Sequence, residues 1–142
     1  MADTVALTVD VVMDAIKEIG WRYKQESEDE VTITFAEKNR PKIHISLKVA
    51  GPRLVATSAI DLPIARDKWA ETMVDINDFN ARNYRPKMFL SLAEDSDAGM
   101  LIGEEVHDLS SGTTVEHLGA WVGGHAAAFA KCVKQVLKVD LS

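Results

Sequence analysis

The sequence predicts a single domain of the α+β class, in which helices pack on a mainly antiparallel sheet. Stretches such as VTITF and KIHISLKV alternate apolar and polar residues, which is typical of strands with one buried face. Other stretches repeat apolar residues every three or four positions, which indicates amphipathic helices. These helices precede, interrupt and follow the strands, so the predicted order is α-β-β-β-(β)-α-β-β-α. Runs of strands separated by single helices favour α+β over a parallel α/β fold.

The chain has 142 residues and shows no repeat, linker or low-complexity tract, so residues 1–142 are predicted to form one domain. With 46% apolar and 27% charged residues, it has the composition of a folded globular protein. The net charge of −6 argues against a nucleic-acid partner, which would require a basic surface.

Several features predict a cytoplasmic protein without a membrane segment. The N-terminal stretch MADTVALTVD carries acidic residues where a signal peptide would carry basic ones. No apolar run approaches the roughly 18 residues of a membrane span. Cys132 is the single cysteine, which excludes an internal disulfide and fits a reducing compartment.

The first half of the chain predicts one helix and then strands. TVDVVMDAIKEIG has helical periodicity, with Thr8 placed to cap its start and Gly20 placed to end it. The strands that follow are VTITF, KIHISLKV and the less regular LVATSAIDL, and WRYKQ is a further short candidate.

The second half predicts helix, hairpin and helix. The second helix runs from about Asp67 to Arg82, and Pro86 prevents its continuation. KMFLSLA and MLIGEEVHDL then form a hairpin about EDSDAG. Thr113 and Glu116 have the spacing of a capping box for a long last helix that ends near Val139.

The second helix places asparagines at its C-terminal end. Helical periodicity puts Trp69, Ala70, Met73, Ile76 and Ala81 on its apolar side, and Asn77 and Asn80 within that arc. Because an unpaired buried amide costs about 1–3 kcal/mol, each asparagine needs a partner. Two interpretations remain open. The asparagines lock the turn from helix to strand, or they line a small pocket beside the basic residues Arg82, Arg85 and Lys87.

The stretch DINDFNARNYRPKMFLSL resembles the signature of the YbjN-like family of bacterial proteins, which are described as sensory transduction regulators. Asn77, Asn80, Arg85 and Pro86 carry the resemblance, together with Arg82 and Lys87, and Phe79 stands where the family pattern has tryptophan. The resemblance implies a curved antiparallel sheet like that of type III secretion chaperones, a dimer, and protein binding or regulation without catalysis.

The last helix has apolar residues on two sides. The broader stripe is expected to dock on the sheet, and a second stripe holds Trp121, His125 and Cys132. Such a helix is either sandwiched within the fold or presents an interface to a partner or a second copy. Trp121 is the candidate anchor, because tryptophan is enriched at binding hot spots.

Residues that could carry chemistry do not assemble into a recognisable motif. The four histidines are His44, His107, His117 and His125, and none has metal-ligand spacing, although His44 and His107 lie on strands that could approach one another. Glu104 and Glu105 are adjacent on a strand and therefore face opposite ways. Cys132 lacks an activating base at a suitable spacing. No cofactor motif is present.

The sequence and the family resemblance therefore predict a non-enzymatic, protein-binding regulatory module similar to secretion chaperones, which is homodimeric and holds a partner segment on its sheet or helix surface. No cofactor or metal is expected. A sensor of a small molecule or anion, with its pocket near the end of the second helix, is the alternative.

Overall fold

The fold is described from a computed structural model, which covers residues 3–92 and 97–139. The first three residues of the predicted EDSDAG turn, Glu94 to Ser96, lie outside these residues. The helices are α1 (Val9–Glu18), α2 (Trp69–Arg82, preceded by a 3-10 turn at Arg66–Lys68) and α3 (Val115–Leu137). The strands are β1 (Lys24–Gln25), β2 (Glu30–Phe35), β3 (Ile43–Ala50), β4 (Arg53–Ile60), β5 (Ile64–Ala65), β6 (Lys87–Leu92) and β7 (Ala98–Asp108).

The strands form one antiparallel sheet, in the order β1-β2-β3-β4-β7, and the short β5 pairs with the start of β7 on the same side as β4. β6 pairs with the other side of β7, since Ile102 is opposite both Phe89 and Ala59. The α+β class and the element order are as predicted. The two-residue β5 is the one strand in the described ranges that the sequence did not indicate.

The helices cover one face of the sheet, and the core beneath them has two parts. α1 and the first half of α3 pack on β2, β3 and the start of β4. α2 and the second half of α3 pack on β6, on β7 and on Ile60 at the end of β4. α3 therefore crosses the sheet obliquely and contributes to both parts.

The helix termini follow the capping rules, with one shift. Thr8 caps α1 by accepting a hydrogen bond from the Val11 N–H, and Gly20 follows with φ of +84°. Thr114 caps α3 by accepting from the His117 N–H at 3.0 Å, so the predicted capping box at Thr113 is wrong by one residue. Thr113 is instead buried and bridges to Val5. Because Thr113 is engaged in the bridge to Val5, the next residue, Thr114, caps the helix.

The buried face of α2 also differs from the prediction. Thr72, Ile76 and Phe79 are buried, whereas Met73 is 43% exposed. Turning the helix this way buries the Phe79 ring against α3 and the sheet, and aromatic burial outweighs that of a methionine at the edge. With this rotation both Asn77 and Asn80 are exposed residues, contrary to the prediction that they lie within the buried arc.

Candidate functional site

The register of β7 decides which of its polar residues face the helices. Glu105 is opposite Ala56, and His107 is opposite Leu54, both on the helix side. Glu104 points to the other face and pairs with Lys87, as alternation along a strand requires. His44 lies on that other face beside Asp61, so the sheet does not bring His44 and His107 together, an approach that the sequence had left open.

A buried polar chain runs from β4 through α3 to β7. His125 and Ser58 are 0% exposed, and His125 Nε2 lies 2.5 Å from Ser58 Oγ. The other ring nitrogen, Nδ1, lies 2.5 Å from Glu105 Oε1. Because an ionised carboxylate can only accept a hydrogen bond, Nδ1 carries the hydrogen and donates a hydrogen bond to Glu105.

This chain fills the space between the two parts of the core. Along β4, Ser58 lies between Ala56 of one apolar cluster and Ile60 of the other. Along α3, His125 lies between Val122 and Phe129, which belong to the same two clusters. Among residues 3–92 and 97–139, no buried side-chain nitrogen or oxygen lacks a hydrogen-bond partner.

Arg85 continues the chain to the surface. Its Nε donates to Glu105 Oε2 at 2.6 Å, and its Nη2 donates to the Trp121 carbonyl at 3.0 Å. The guanidinium also lies 5.3 Å from the centre of the Trp121 ring, within cation–π range. Arg85 follows the end of α2, so this contact joins the α2–β6 turn to the middle of α3.

The exposed end of the site is a row of rings. His107 stacks on Trp121 with centroids 5.1 Å apart and an interplanar angle of 22°. His107 Nε2 lies 2.8 Å from His117 Nε2, so one of the two imidazoles must donate and the other accept. We call Arg85, Trp121, His107 and His117 the Trp121 surface.

Two pKa values in the site are shifted. Burial alone would raise the pKa of Glu105, but hydrogen bonds from His125 and Arg85 and their charges outweigh it and hold this pKa below its ordinary value. Desolvation lowers the pKa of His107, and the nearby charges of His117 and Arg85 lower it further. Glu105 is therefore ionised at neutral pH, and the His107 ring is neutral.

Ser58, His125 and Glu105 have the connectivity of a hydrolytic triad. The hydroxyl contacts one ring nitrogen and the carboxylate contacts the other, as nucleophilic catalysis requires. Ser58 Oγ, however, lies under α3 in a residue that is 0% exposed, where no substrate carbonyl can reach it. In this structure the arrangement positions α3 and Arg85 instead of presenting a nucleophile.

Two of the three residues predicted to share a binding surface on α3 are buried. His125 and Cys132 are both 0% exposed, because the sheet and α2 cover the side of α3 that carries them. Of the two alternatives for this stripe, burial within the fold therefore holds for His125 and Cys132, the candidate binding surface through these two residues is wrong, and of the three residues only Trp121 is partly exposed. Burial raises the pKa of the Cys132 thiol to about 12, which leaves it protonated and unreactive.

The predicted asparagine and basic cluster separates into parts. Asn80 donates to the Met88 carbonyl at 2.9 Å and accepts from the Met88 N–H at 3.1 Å, which is the arrangement proposed for a lock between helix and strand. Asn83, which the sequence reasoning missed, donates to the Phe79 carbonyl at 2.9 Å. Asn77 is exposed.

The basic residues do not line a common pocket. Arg82 pairs with Asp78 at 3.1 Å on the exposed side of α2, and Lys87 lies 3.7 Å from Glu104 on the other face of the sheet. A groove of about 330 Å³ between α2 and β6 is lined by Asn77 and Asn80 but by neither of these cations nor Arg85. An anion pocket in the groove between α2 and β6 would therefore have no positively charged side chain in its lining.

The two predicted asparagines provide a matched pair of variants. Asn80→Ala removes both hydrogen bonds to Met88 and is expected to lower the free energy of unfolding by about 1–2 kcal/mol. Asn77→Ala, three residues earlier on the same helix, is expected to change it by less than about 0.5 kcal/mol. Urea unfolding followed by circular dichroism measures both. Equal losses in the two variants would contradict the lock.

Within the described residues, no group of three or more histidine, cysteine, aspartate or glutamate side chains is placed to hold a metal ion. A helix with the length and hydropathy to cross a membrane is likewise not found in residues 3–92 and 97–139.

Comparison with known proteins identifies the family. The family model described as "YbjN: Putative bacterial sensory transduction regulator" matches residues 8–137. The chain belongs to the YbjN family. The match extends from the cap of α1 to the end of α3 and so includes every residue of the site.

The YbjN fold is also found in a solved structure. A chain titled "Crystal structure of YbjN, a putative transcription regulator from E. coli" superposes with a TM-score of 0.75 at 12% sequence identity, covering 92% of each chain. At this identity the likeness shows the fold. No curated protein matches this sequence.

The family signature contains only part of the site. It includes Arg85, but its partner Glu105 lies 20 residues later and Trp121 lies 36 residues later. Ser58 was not singled out from the sequence, because serine is mostly exposed in folded proteins. Its position in the run LVATSAI, level with Leu54, Ala56 and Ile60 on one face, was the available indication that it is buried.

Proposed function

We propose that the chain is a non-enzymatic regulatory module that binds a segment of another protein through the Trp121 surface. The observation that carries this proposal is the geometry of Trp121, which is partly exposed and held between Arg85 and His107. Tryptophan and arginine are the residue types most enriched at binding hot spots.

The buried chain beneath this surface supports the proposal. His125 donates a hydrogen bond to Glu105, and Glu105 accepts one from Arg85. Arg85 in turn donates to the Trp121 carbonyl. A partner therefore meets side chains that are already ordered, so less conformational entropy is lost on binding. The family description as a sensory transduction regulator agrees with a role in binding.

A cytoplasmic location and a homodimer are part of the same proposal. A single buried cysteine is compatible with a reducing compartment. Light scattering of the purified chain measures its mass in solution, and a monomer at all concentrations would remove the dimer from the proposal.

The test compares proteins retained by the immobilised chain from native cytosol. Trp121→Ala is expected to lose the partner that the unaltered chain retains. Tyr84→Ala is the matched control, because Tyr84 is an aromatic residue that is fully exposed and lies outside the Trp121 surface. Retention of the same partner by Trp121→Ala would contradict the proposal.

Two further variants separate binding from folding. His117→Ala alters the exposed end of the Trp121 surface and is expected to weaken retention without lowering the melting temperature. Phe89→Ala tests the opposite face of the sheet, where Phe89 is 36% exposed. Loss of the partner in Phe89→Ala alone would move the binding site to that face.

A further inference from the structure

A second feature of the molecule is an apolar cavity on the other side of α3. Its volume is about 350 Å³, and it lies between α3 and the β2–β3 hairpin. Its walls are formed by Trp21, Phe35, Ile43 and Ile45. Trp21 and Phe35 meet edge to face with centroids 4.9 Å apart, so the aromatic part of the wall is fixed in shape.

The helix side of the cavity is made of small residues, and Gly123 is the informative one. A methyl group added at Gly123 would meet no atom within 4 Å. The other two glycines of α3 have neighbours, since a methyl at Gly119 would lie 3.2 Å from Ile19 and one at Gly124 would lie 3.3 Å from Arg85. A glycine inside a helix is destabilising relative to alanine, and no close packing explains the one at Gly123.

The rim of the cavity carries one charge of each sign. Glu37 and Arg40 both border it, and they pair with each other at 3.2 Å. A charged ligand would have to disrupt this pair, whereas a neutral ligand with a hydrogen-bonding group can leave it intact. The walls and the rim together therefore favour a neutral ligand that is mostly apolar.

We propose that this cavity binds a neutral, flat, two-ring aromatic molecule that carries one hydrogen-bonding group. An apolar protein cavity of about 150 Å³ is known to take up benzene, so about 350 Å³ accommodates two fused rings. The edge-to-face pair of Trp21 and Phe35 offers both a ring face and a ring edge to such a ligand. The site shares no residue with the Trp121 surface, so each proposal can fail without the other.

Indole is a suitable probe, because it is neutral, has two fused rings and carries one N–H donor. The experiment follows the methyl resonances of Ala126, Ala127 and Ala130, which line the cavity, while indole is added to the intact chain. The chemical shifts of these three methyl groups are expected to change with added indole until the site is saturated. The alanine at position 120 is outside the cavity and exposed, so its methyl group is expected to remain unshifted.

Gly123→Leu places an apolar side chain in the empty space and is expected to weaken indole binding at least tenfold while raising the melting temperature. Ala120→Leu is the matched control, since it adds apolar atoms to the same helix outside the cavity, and it is expected to bind indole as the unaltered chain does. If Gly123→Leu does not fold, Gly123→Ala replaces it, with a smaller loss of affinity expected.

Three results would overturn the proposal. The first is the absence of saturable shifts in the unaltered chain up to the solubility limit of indole. The second is undiminished indole binding by a folded Gly123 variant. The third is a shift of the alanine resonances with protein concentration but not with indole, which would mean that a second copy of the chain fills the cavity.

Discussion

Replacement of Glu105 by alanine is expected to lower the free energy of unfolding by about 3 kcal/mol, because a nearly buried carboxylate that accepts hydrogen bonds from two other side chains is removed. The Glu105 side chain is 8% exposed, and it accepts hydrogen bonds from both Arg85 and His125. Its removal leaves a polar nitrogen of the fully buried His125 without a partner. Equilibrium unfolding in urea measures the loss.

Glu104→Ala is the control for this prediction. Glu104 is the adjacent residue, but its carboxylate faces the other side of the sheet and lies 3.7 Å from Lys87, with 36% of its side chain exposed. An exposed pair of this kind contributes at most about 1 kcal/mol. Losses of similar size in the two variants would show that the buried chain does not stabilise the fold.

The same residue makes stability depend on pH. The pKa of Glu105 is lower in the folded state than its ordinary value of 4.5, so its stabilising contribution is present above pH 4.5 and is lost as the pH falls through the folded pKa. The pKa of His107 is also lowered, from an ordinary value of 6.5, so the unfolded chain takes up that proton first and stability falls with pH there too. Glu105→Gln is expected to flatten the decline below pH 4.5 and to leave the decline just below pH 6.5. An unchanged profile in this variant would contradict the assignment.

Phe129→Ala is expected to be as damaging, with a loss of about 3–5 kcal/mol in the free energy of unfolding, because the cavity it leaves cannot close against the sheet. Phe129 is 0% exposed and packs directly over Gly103, where an added methyl group would lie 2.7 Å from the ring. Thermal and urea unfolding both report the change.

Phe89→Ala removes the same side chain from the exposed face of the sheet and provides the comparison. Phe89 is 36% exposed, so most of the cavity term is absent and a loss of no more than about 1 kcal/mol is expected. If the two variants were equally stable, Phe129 could not be the contact that holds the second half of α3 to the sheet.

The sequence predicted the elements well because each depends on local patterning. Val31 and Ile33, for example, are buried on β2 as alternation requires. The face of α2 was harder to predict, since Met73 and Phe79 compete for burial and only packing against α3 decides between them. Local pattern identifies an amphipathic helix more reliably than it identifies the angle at which the helix settles.

The site was predicted only in fragments. Arg85 and Trp121 were both singled out, but as members of different clusters, since nothing local indicates that a turn after α2 meets the middle of α3. The link between them is Glu105, and its role depends on how β7 is paired with β4, which a single sequence does not specify. Helical spacing placed His125 in the second stripe of α3 but could not decide whether that stripe is exposed, whereas in the structure Ser58 and Glu105 satisfy both of its nitrogens inside the fold.

The polar chain between the two apolar clusters fixes the position of α3 along its own axis. Burial of apolar side chains is favourable whatever their direction, so a helix held by apolar contacts alone could slide by one turn, about 5.4 Å, and still bury its apolar face. Such a slide would separate His125 from Ser58 and Glu105. Polar atoms of all three side chains would then be buried without a hydrogen-bond partner. The hydrogen-bonded chain of Ser58, His125 and Glu105 therefore disfavours shifted packings that apolar contacts alone would allow, and it fixes the position of Trp121 relative to the sheet.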